Sequence, residues 1–272
     1  MKRIFIILAI AIITFFAQSA FANNIRFIQI TDAHMSLGSE YSQRVLKSAV
    51  KDINSQNEIA FVVFTGDNID EAKAENLRQF VEIVSKLKIP YYVTVGNHDV
   101  FKSNDLSKVK YYEILREKHF FYPQRNQNYK FKKNGFVFLI VDGAKEIIPG
   151  PSGYYKEDTL KWINNMLSKN SRRPVVIFQH FPLEYPSEYS VKSHKTYKAE
   201  EYQKILQKHN NVLAIVSGHL HMNGETMKDG IYHISTPSLL TLPNSYKIID
   251  IVTTKGFSPI IYTQLKEFTV EK

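Results

Sequence analysis

Short unbroken apolar runs alternate along this chain with longer stretches in which apolar positions recur every three or four residues. Ile25 to Thr31, rich in β-branched side chains, predicts a strand. Tyr41 to Ser55 then carries Val45, Leu46, Ala49, Val50 and Ile53 at helical spacing. Ile59 to Phe64 is apolar throughout, the pattern of a strand covered on both faces. Glu71 to Lys88 places Leu77, Phe80, Val81, Val84 and Leu87 on one helical stripe that Pro90 closes, and a strand from Tyr91 to Val95 follows. This β-α-β-α-β order predicts parallel strands with helices packed on the faces of the sheet.

The rest of the chain is less regular. Leu106 to Lys118 reads as a helix, and Tyr129 to Phe131 with Phe136 to Val141 as a hairpin turning at Asn134-Gly135. Asp142 to Tyr155 contains Pro149-Gly150-Pro151 and is expected to be a loop, Asp158 to Leu167 a short helix, and Pro174 to Gln179 a strand. Phe181 to Lys198, rich in Tyr and Glu, has no period and the length of a lid or binding loop. A helix from Glu200 to His209 and a strand from Val212 to Ser217 come next. The segments Gly224 to Lys228, Ile231 to Ser235, Tyr246 to Val252 and Ile260 to Glu267 are expected to be antiparallel strands.

With 272 residues, 44% hydrophobic and 22% charged, the chain suits one globular domain. Its first residues stand apart. Lys2 and Arg3 precede an apolar run from Ile4 to Ala17, and Ala20-Phe21-Ala22 supplies a small-x-small cleavage site. Residues 1–22 are therefore expected to be a cleaved signal peptide, residues 23–272 the domain, and the destination secreted or periplasmic. The run falls short of the ~20 residues that a spanning helix needs, so no stable membrane insertion is expected after cleavage. Cleavage lowers the formal charge from +9 to +7, still favourable to phosphate esters, acidic headgroups or nucleic acid. Nucleic acid is possible but not favoured, because no extended basic stripe interleaved with aromatic residues is present, and without a polybasic tract the scattered lysines read first as a solvated face. The absence of cysteine excludes disulfides and thiolate metal ligands.

The polar residues that matter arrive at strand ends: Asp32 and His34, Asp67, then Asn97, His98 and Asp99, then His180, and finally His219 and His221. Taken singly, each has a plain reading as an Asx turn, ordinary turn chemistry or a satisfied histidine. Their joint arrival at the carboxyl ends of strands, where open α/β sheets bind ligands, is what those readings leave unexplained. Imidazoles and carboxylates without sulfur suit Mn, Fe or Zn, and the set is large enough for two divalent metal ions sharing a carboxylate. His98 can carry a proton near neutral pH and Asp99 can hold one of its ring nitrogens. His119, His194, His209 and His233 read as structural or solvent-facing. Of these, His194, in a loop with Tyr185, Tyr189 and Tyr197, is the candidate for substrate contact.

Asp-x-His (32–34), Gly-Asp (66–67), Gly-Asn-His-Asp (96–99), His180 and Gly-His-x-His (218–221), in this order, resemble the calcineurin-like metallophosphoesterases, nearest in motif order to the class III cyclic nucleotide phosphodiesterases. The resemblance implies an α/β fold of four layers, an α-β-β-α sandwich with two central mixed sheets flanked by helices. It implies that Asp32, His34 and His221 hold one metal, that Asn97, His180 and His219 hold another, and that Asp67 bridges them. It also implies that a hydroxide bridging the metals attacks phosphorus, while His98, oriented by Asp99, protonates the leaving oxygen. Purple acid phosphatases carry a tyrosine where this chain has Asp70, so no tyrosinate-iron colour is expected. The function expected on this basis is an exported dinuclear metal-dependent phosphoesterase with diesters favoured. A phosphomonoesterase, a nuclease or a noncatalytic binding module of the same fold is the alternative, and the complete ligand set weighs against the last. Relatives with these motifs cleave several kinds of ester, so the motifs do not name the substrate.

Overall fold

A computed structural model describes residues 24–118, 127–185, 194–254 and 257–271. The expected signal segment, His119 and Tyr189 lie outside these residues. In chain order the elements are β1 (Ile25–Ile30), α1 (Glu40–Ile53), β2 (Val62–Thr65), α2 (Ala74–Val84), β3 (Tyr91–Thr94), α3 (Lys108–Glu117), β4 (Tyr129–Lys133) and β5 (Phe136–Val141). There follow α4 (Glu157–Lys169), β6 (Val175–Gln179), α5 (Ala199–Leu206), β7 (Val212–Ser217), β8 (Gly224–Lys228), β9 (Ile231–Ser235), β10 (Ser245–Val252) and β11 (Ile260–Glu267).

They form two mixed sheets, ordered β11-β10-β1-β2-β3 and β4-β5-β6-β7-β9-β8. The parallel set β1, β2 and β3 is as expected, as is the β4–β5 hairpin, whose Asn134 and Gly135 both take positive φ. Of the last four strands, β8 with β9 and β10 with β11 pair antiparallel as expected, but their wider arrangement differs from expectation. They split between the sheets, and β9, antiparallel to β8, runs parallel to β7. Alternation within a strand shows which face is buried but carries no information about which neighbour it pairs with.

Strand alternation builds the layers. In β2, Val62 and Phe64 pack outward with the helices, whereas Val63, and Phe61 just before the strand, turn to the gap between the sheets. β5 does the same, sending Val137 and Leu139 outward and Phe136, Phe138 and Ile140 inward. Phe27 stacks on Phe61 at 4.9 Å, and Phe138 on Phe178 at 5.8 Å, so aromatic rings from both sheets fill the gap. Each such ring contributes about 1.5–3 kcal/mol by leaving water. α1 lies beside α2 and α2 beside α3, while α4 pairs with α5. Helices thus cover the outer faces of the pair of sheets.

Toward the carboxyl ends of the strands the gap turns polar. Buried Gln29 of β1 donates to Thr65 Oγ1 at 2.9 Å and across to the Ser217 carbonyl at 2.8 Å, and it accepts from Thr236 at 2.6 Å. These bonds fasten one sheet to the other just beneath the strand ends.

Candidate metal centre

Where the strands stop, the chain turns through left-handed corners. Asp32 (φ 51°), His34 (39°), Asp67 (48°), His219 (73°) and His221 (54°) all occupy this region, which favours glycine and strains other residues by about 1–3 kcal/mol each. Cross-links between the loops impose the strain: Asp32 N donates to the Gly66 carbonyl and His34 N to the Asp67 carbonyl, both at 3.0 Å, and Gly218 N to the His180 carbonyl at 3.0 Å. Gly66 has φ 94°, and the His180 ring fills the space that a β-carbon there would need. At Gly96 the same space belongs to the Asp67 carboxylate. These close approaches explain why both motifs put a glycine before the reactive residue.

The corners bring residues from both sheets together. Asp32, His34 and His221 each offer a ligand atom within 4.8 Å of the others; so do Asp67, His180 and His219, and so do His34, Asp67 and His98. His221 Nε2 stands 3.1 Å from Asp32 Oδ1 and 3.3 Å from His34 Nε2, and His180 Nε2 3.3 Å from Asp67 Oδ2. Asn97 lines the same pocket, of about 670 Å³, as His34, Asp67, His98, His219 and His221. Asp32 and His180 are fully buried below it. All seven proposed metal ligands and His98 therefore converge.

The electrostatics of this cluster describe a need for positive charge. Burial pushes the Asp67 carboxyl up, but His180, His98 and His34 outweigh it and hold the group well below the usual carboxylate range. Asp32 is also lowered, burial being outweighed by its bond to His221 and the charge on His180. In turn His180, disfavoured as a cation by burial, is raised to about 9 by Asp67 and Asp32. His221 is raised, its bond to Asp32 outweighing burial. His219 falls to about 4 through burial and the neighbouring His180, and burial lowers His34. Among the described residues, the buried Asn97 Oδ1 and His180 Nε2 have no hydrogen-bond partner. Two buried carboxylates, opposed imidazole nitrogens and orphaned electron-pair donors fit divalent cations.

Asp99 does not orient His98. Its carboxylate is taken up by Asn68 N (2.8 Å), Ile69 N (3.1 Å), Gly96 N (2.7 Å) and the Asn68 side-chain amide (2.9 Å). Burial and nearby Asp67 raise it to about 7. The His98 ring is held instead by the Asp70 carbonyl, to which Nδ1 donates at 2.7 Å. The side chain of a residue adjacent to a histidine points elsewhere at a tight turn, and sequence proximity misled here. Asp99→Ala is expected to lower stability by about 3 kcal/mol or more, since it strands three buried backbone N–H groups. Urea denaturation checks this.

The sequence gives no sign of a supporting role for Asn68 or Gln29, and Asp70 stands out in it only as the position where purple acid phosphatases carry a tyrosine. Asn68 reads as turn chemistry, and its bonds to Thr94, Asp99 and Tyr111 join positions far apart in the chain. His194 lines the pocket, and its carbonyl lies 3.2 Å from His219 Nε2. His209 faces Asn164 Oδ1 at 2.9 Å near the surface, and His233 is half-buried in β9.

Comparison with known proteins agrees with this picture. The family model for calcineurin-like phosphoesterases matches residues 25–223. The chain is 26% identical over 220 residues to a probable glycerophosphodiester phosphodiesterase, GpdQ, of Arcobacter nitrofigilis, covering 78% of this chain and 77% of that one. It is 27% identical over 183 residues to a probable cyclic nucleotide phosphodiesterase of Psychrobacter sp. strain PRwf-1, covering 65% of this chain but spanning only about half, 51%, of that protein's length. Among solved structures, a dimetal phosphatase from Danio rerio superposes with a TM-score of 0.64 at 16% identity, over 87% of this chain and 98% of its own, and so shares the fold.

Proposed function

The chain belongs to the calcineurin-like phosphoesterase family and is a metal-dependent phosphoester hydrolase, and we propose that it is a dinuclear phosphodiesterase. The observation that supports this most is the set of overlapping ligand triads, two of which share Asp67 and two His34. In this reading Asp32, His34 and His221 hold one divalent ion, Asn97, His180 and His219 the other, and Asp67 both. Bound there, such ions would supply Lewis acidity toward the phosphoryl oxygens and acidify water.

The protein groups around them have defined tasks. Thr31 Oγ1 and His219 N donate to Asp32 Oδ2 at 2.6 and 2.9 Å, which leaves Oδ1 facing His34 and His221. His180 Nδ1 donates to the Thr65 carbonyl at 2.8 Å, fixing the tautomer whose Nε2 lone pair faces Asp67. Hydrolysis adds a water oxygen to phosphorus and expels the ester oxygen. With Nδ1 committed to Asp70, His98 has Nε2 left to give the departing oxygen its proton. The diester preference is supported by relatives whose names are those of phosphodiesterases.

The test is turnover of bis-aryl and mono-aryl phosphates by the purified protein. We expect activity to vanish on chelation and return with Mn²⁺, with the bis-aryl ester the better substrate. Turnover that survives chelation counts against the dinuclear reading, and preference for the mono-aryl ester against the diester reading. Export is part of the same proposal and rests on residues 1–22; a mature protein beginning at Asn23 supports it. No helix among the described residues is long and apolar enough to cross a membrane.

A further inference from the structure

After β5 the chain runs outward to Ile147 and Ile148, which are 71% and 77% exposed. It then turns inward, so that Pro149, Gly150 and Pro151 line the pocket. Two adjacent isoleucines held in water at the mouth of a hydrolytic site call for a reason.

The arm that carries them is firmly rooted. Buried Lys108 of α3 pairs through its ammonium with buried Asp142 and donates to the Ala144 carbonyl at 2.7 Å. Lys108 N donates to Glu146 Oε2, and Lys102 N to the Glu146 carbonyl, each at 2.7 Å. On the return, Tyr154 N donates to the Gly143 carbonyl at 2.8 Å. Tyr197 N donates to the Gly153 carbonyl at 2.8 Å, and the rings of Tyr154 and Tyr197 lie 5.7 Å apart. That join draws a second segment alongside the arm. It adds Tyr197, 59% exposed, exposed Lys195, and Lys198, whose ammonium lies 5.7 Å from the Tyr197 ring centre and is shared with Glu201 at 3.5 Å. Lys145, partly buried, lies on the outward run with its ammonium beside Gly150 at the pocket mouth. The ridge is thus an apolar tip, an exposed tyrosine and three lysines on a rigid base.

We propose that this ridge docks on an anionic lipid surface. Ile147 and Ile148 enter the acyl boundary, Tyr197 sits at headgroup level, and Lys145, Lys195 and Lys198 lie among the phosphates. The pocket wall begins at the next residue, Pro149, so the site then faces the headgroup layer. Two isoleucines are too few for a stable protein interface, which buries about 800 Å² per partner. Joined to electrostatic attraction they are sufficient for reversible lipid binding, and the formal charge of +7 that remains after residues 1–22 are removed has the sign required. The docking is independent of whether the ester cleaved is a diester.

Phosphatidylcholine vesicles with and without one-third phosphatidylglycerol test it, using the full chain and an I147S/I148S variant, so that any contribution of the N-terminal segment is common to both. Anionic vesicles are expected to bind the native chain at least about tenfold more tightly than the serine pair, while turnover of soluble bis-aryl phosphate stays unchanged. In a separate I147W variant, lipids brominated along the acyl chain are expected to quench the new tryptophan. Its only companion is Trp162, whose contribution is read from the parent protein. Equal vesicle binding by parent and serine pair, an unquenched Trp at position 147, or self-association that the serine pair abolishes without lipid binding each overturns the proposal. Unchanged soluble-ester turnover in any of these cases leaves the hydrolytic reading standing.

Discussion

Asp67→Asn is expected to lower kcat/KM toward a bis-aryl phosphate by about 10³-fold or more, a loss of the size seen when a group that stabilises transition-state charge is removed. Asp67 is 2% exposed and belongs to two of the three ligand triads, one with His180 and His219 and the other with His34 and His98. Among the described residues, no other joins the His180 group to the rest of the cluster in this way. Asparagine keeps the shape and can still accept the 2.9 Å bond from His98 N, so the fold is expected to persist while one negative charge disappears. The accompanying measurement is metal content after dialysis, expected to drop from two ions per chain toward one. A variant that retains two ions and near-native turnover would falsify the bridging role.

His98→Ala separates proton donation from metal binding. Removing a general acid costs about 10²–10⁴-fold when the leaving oxygen is a strongly basic alkoxide, and far less when it is a nitrophenolate that departs without help. His98 is exposed at the pocket and anchored through Nδ1, and it is absent from the two triads assigned to separate ions. Metal content is therefore expected to stay at the native value. Plotting log kcat against leaving-group pKa should give a steeper line for the variant than for the parent. Parallel lines, or loss of metal with the imidazole, would remove His98 from the acid role.

Much of this was legible before any coordinates. A β-branched or fully apolar run ending in Asp or His marks a strand that delivers a side chain to a rim, and β1, β2, β3, β6 and β7 each end so. The two inner faces were already encoded in positions such as Phe61 and Val63 against Val62 and Phe64, although only pairing reveals that there are two sheets. Local patterns could not show that β9 runs parallel to β7, because pairing direction depends on where the connecting chain goes. The same limit applies to the support of the site. Asp70 serves His98 through its main-chain carbonyl, which any residue possesses, so nothing in the side-chain sequence announces it. Gln29 looks like one more alternating strand residue, and its task of fastening the sheets exists only once they face each other.

The left-handed corners at Asp32, His34, Asp67, His219 and His221 carry a historical implication. On the dinuclear reading proposed above, selection for metal binding is what keeps imidazoles and carboxylates at backbone angles that glycine or asparagine would adopt with less strain. A descendant released from that selection is expected to drift toward glycine and asparagine at those five places first, gaining thermal stability as it decays. In a sibling chain of this fold, small residues at all five would mark an extinct centre more reliably than the loss of any single histidine.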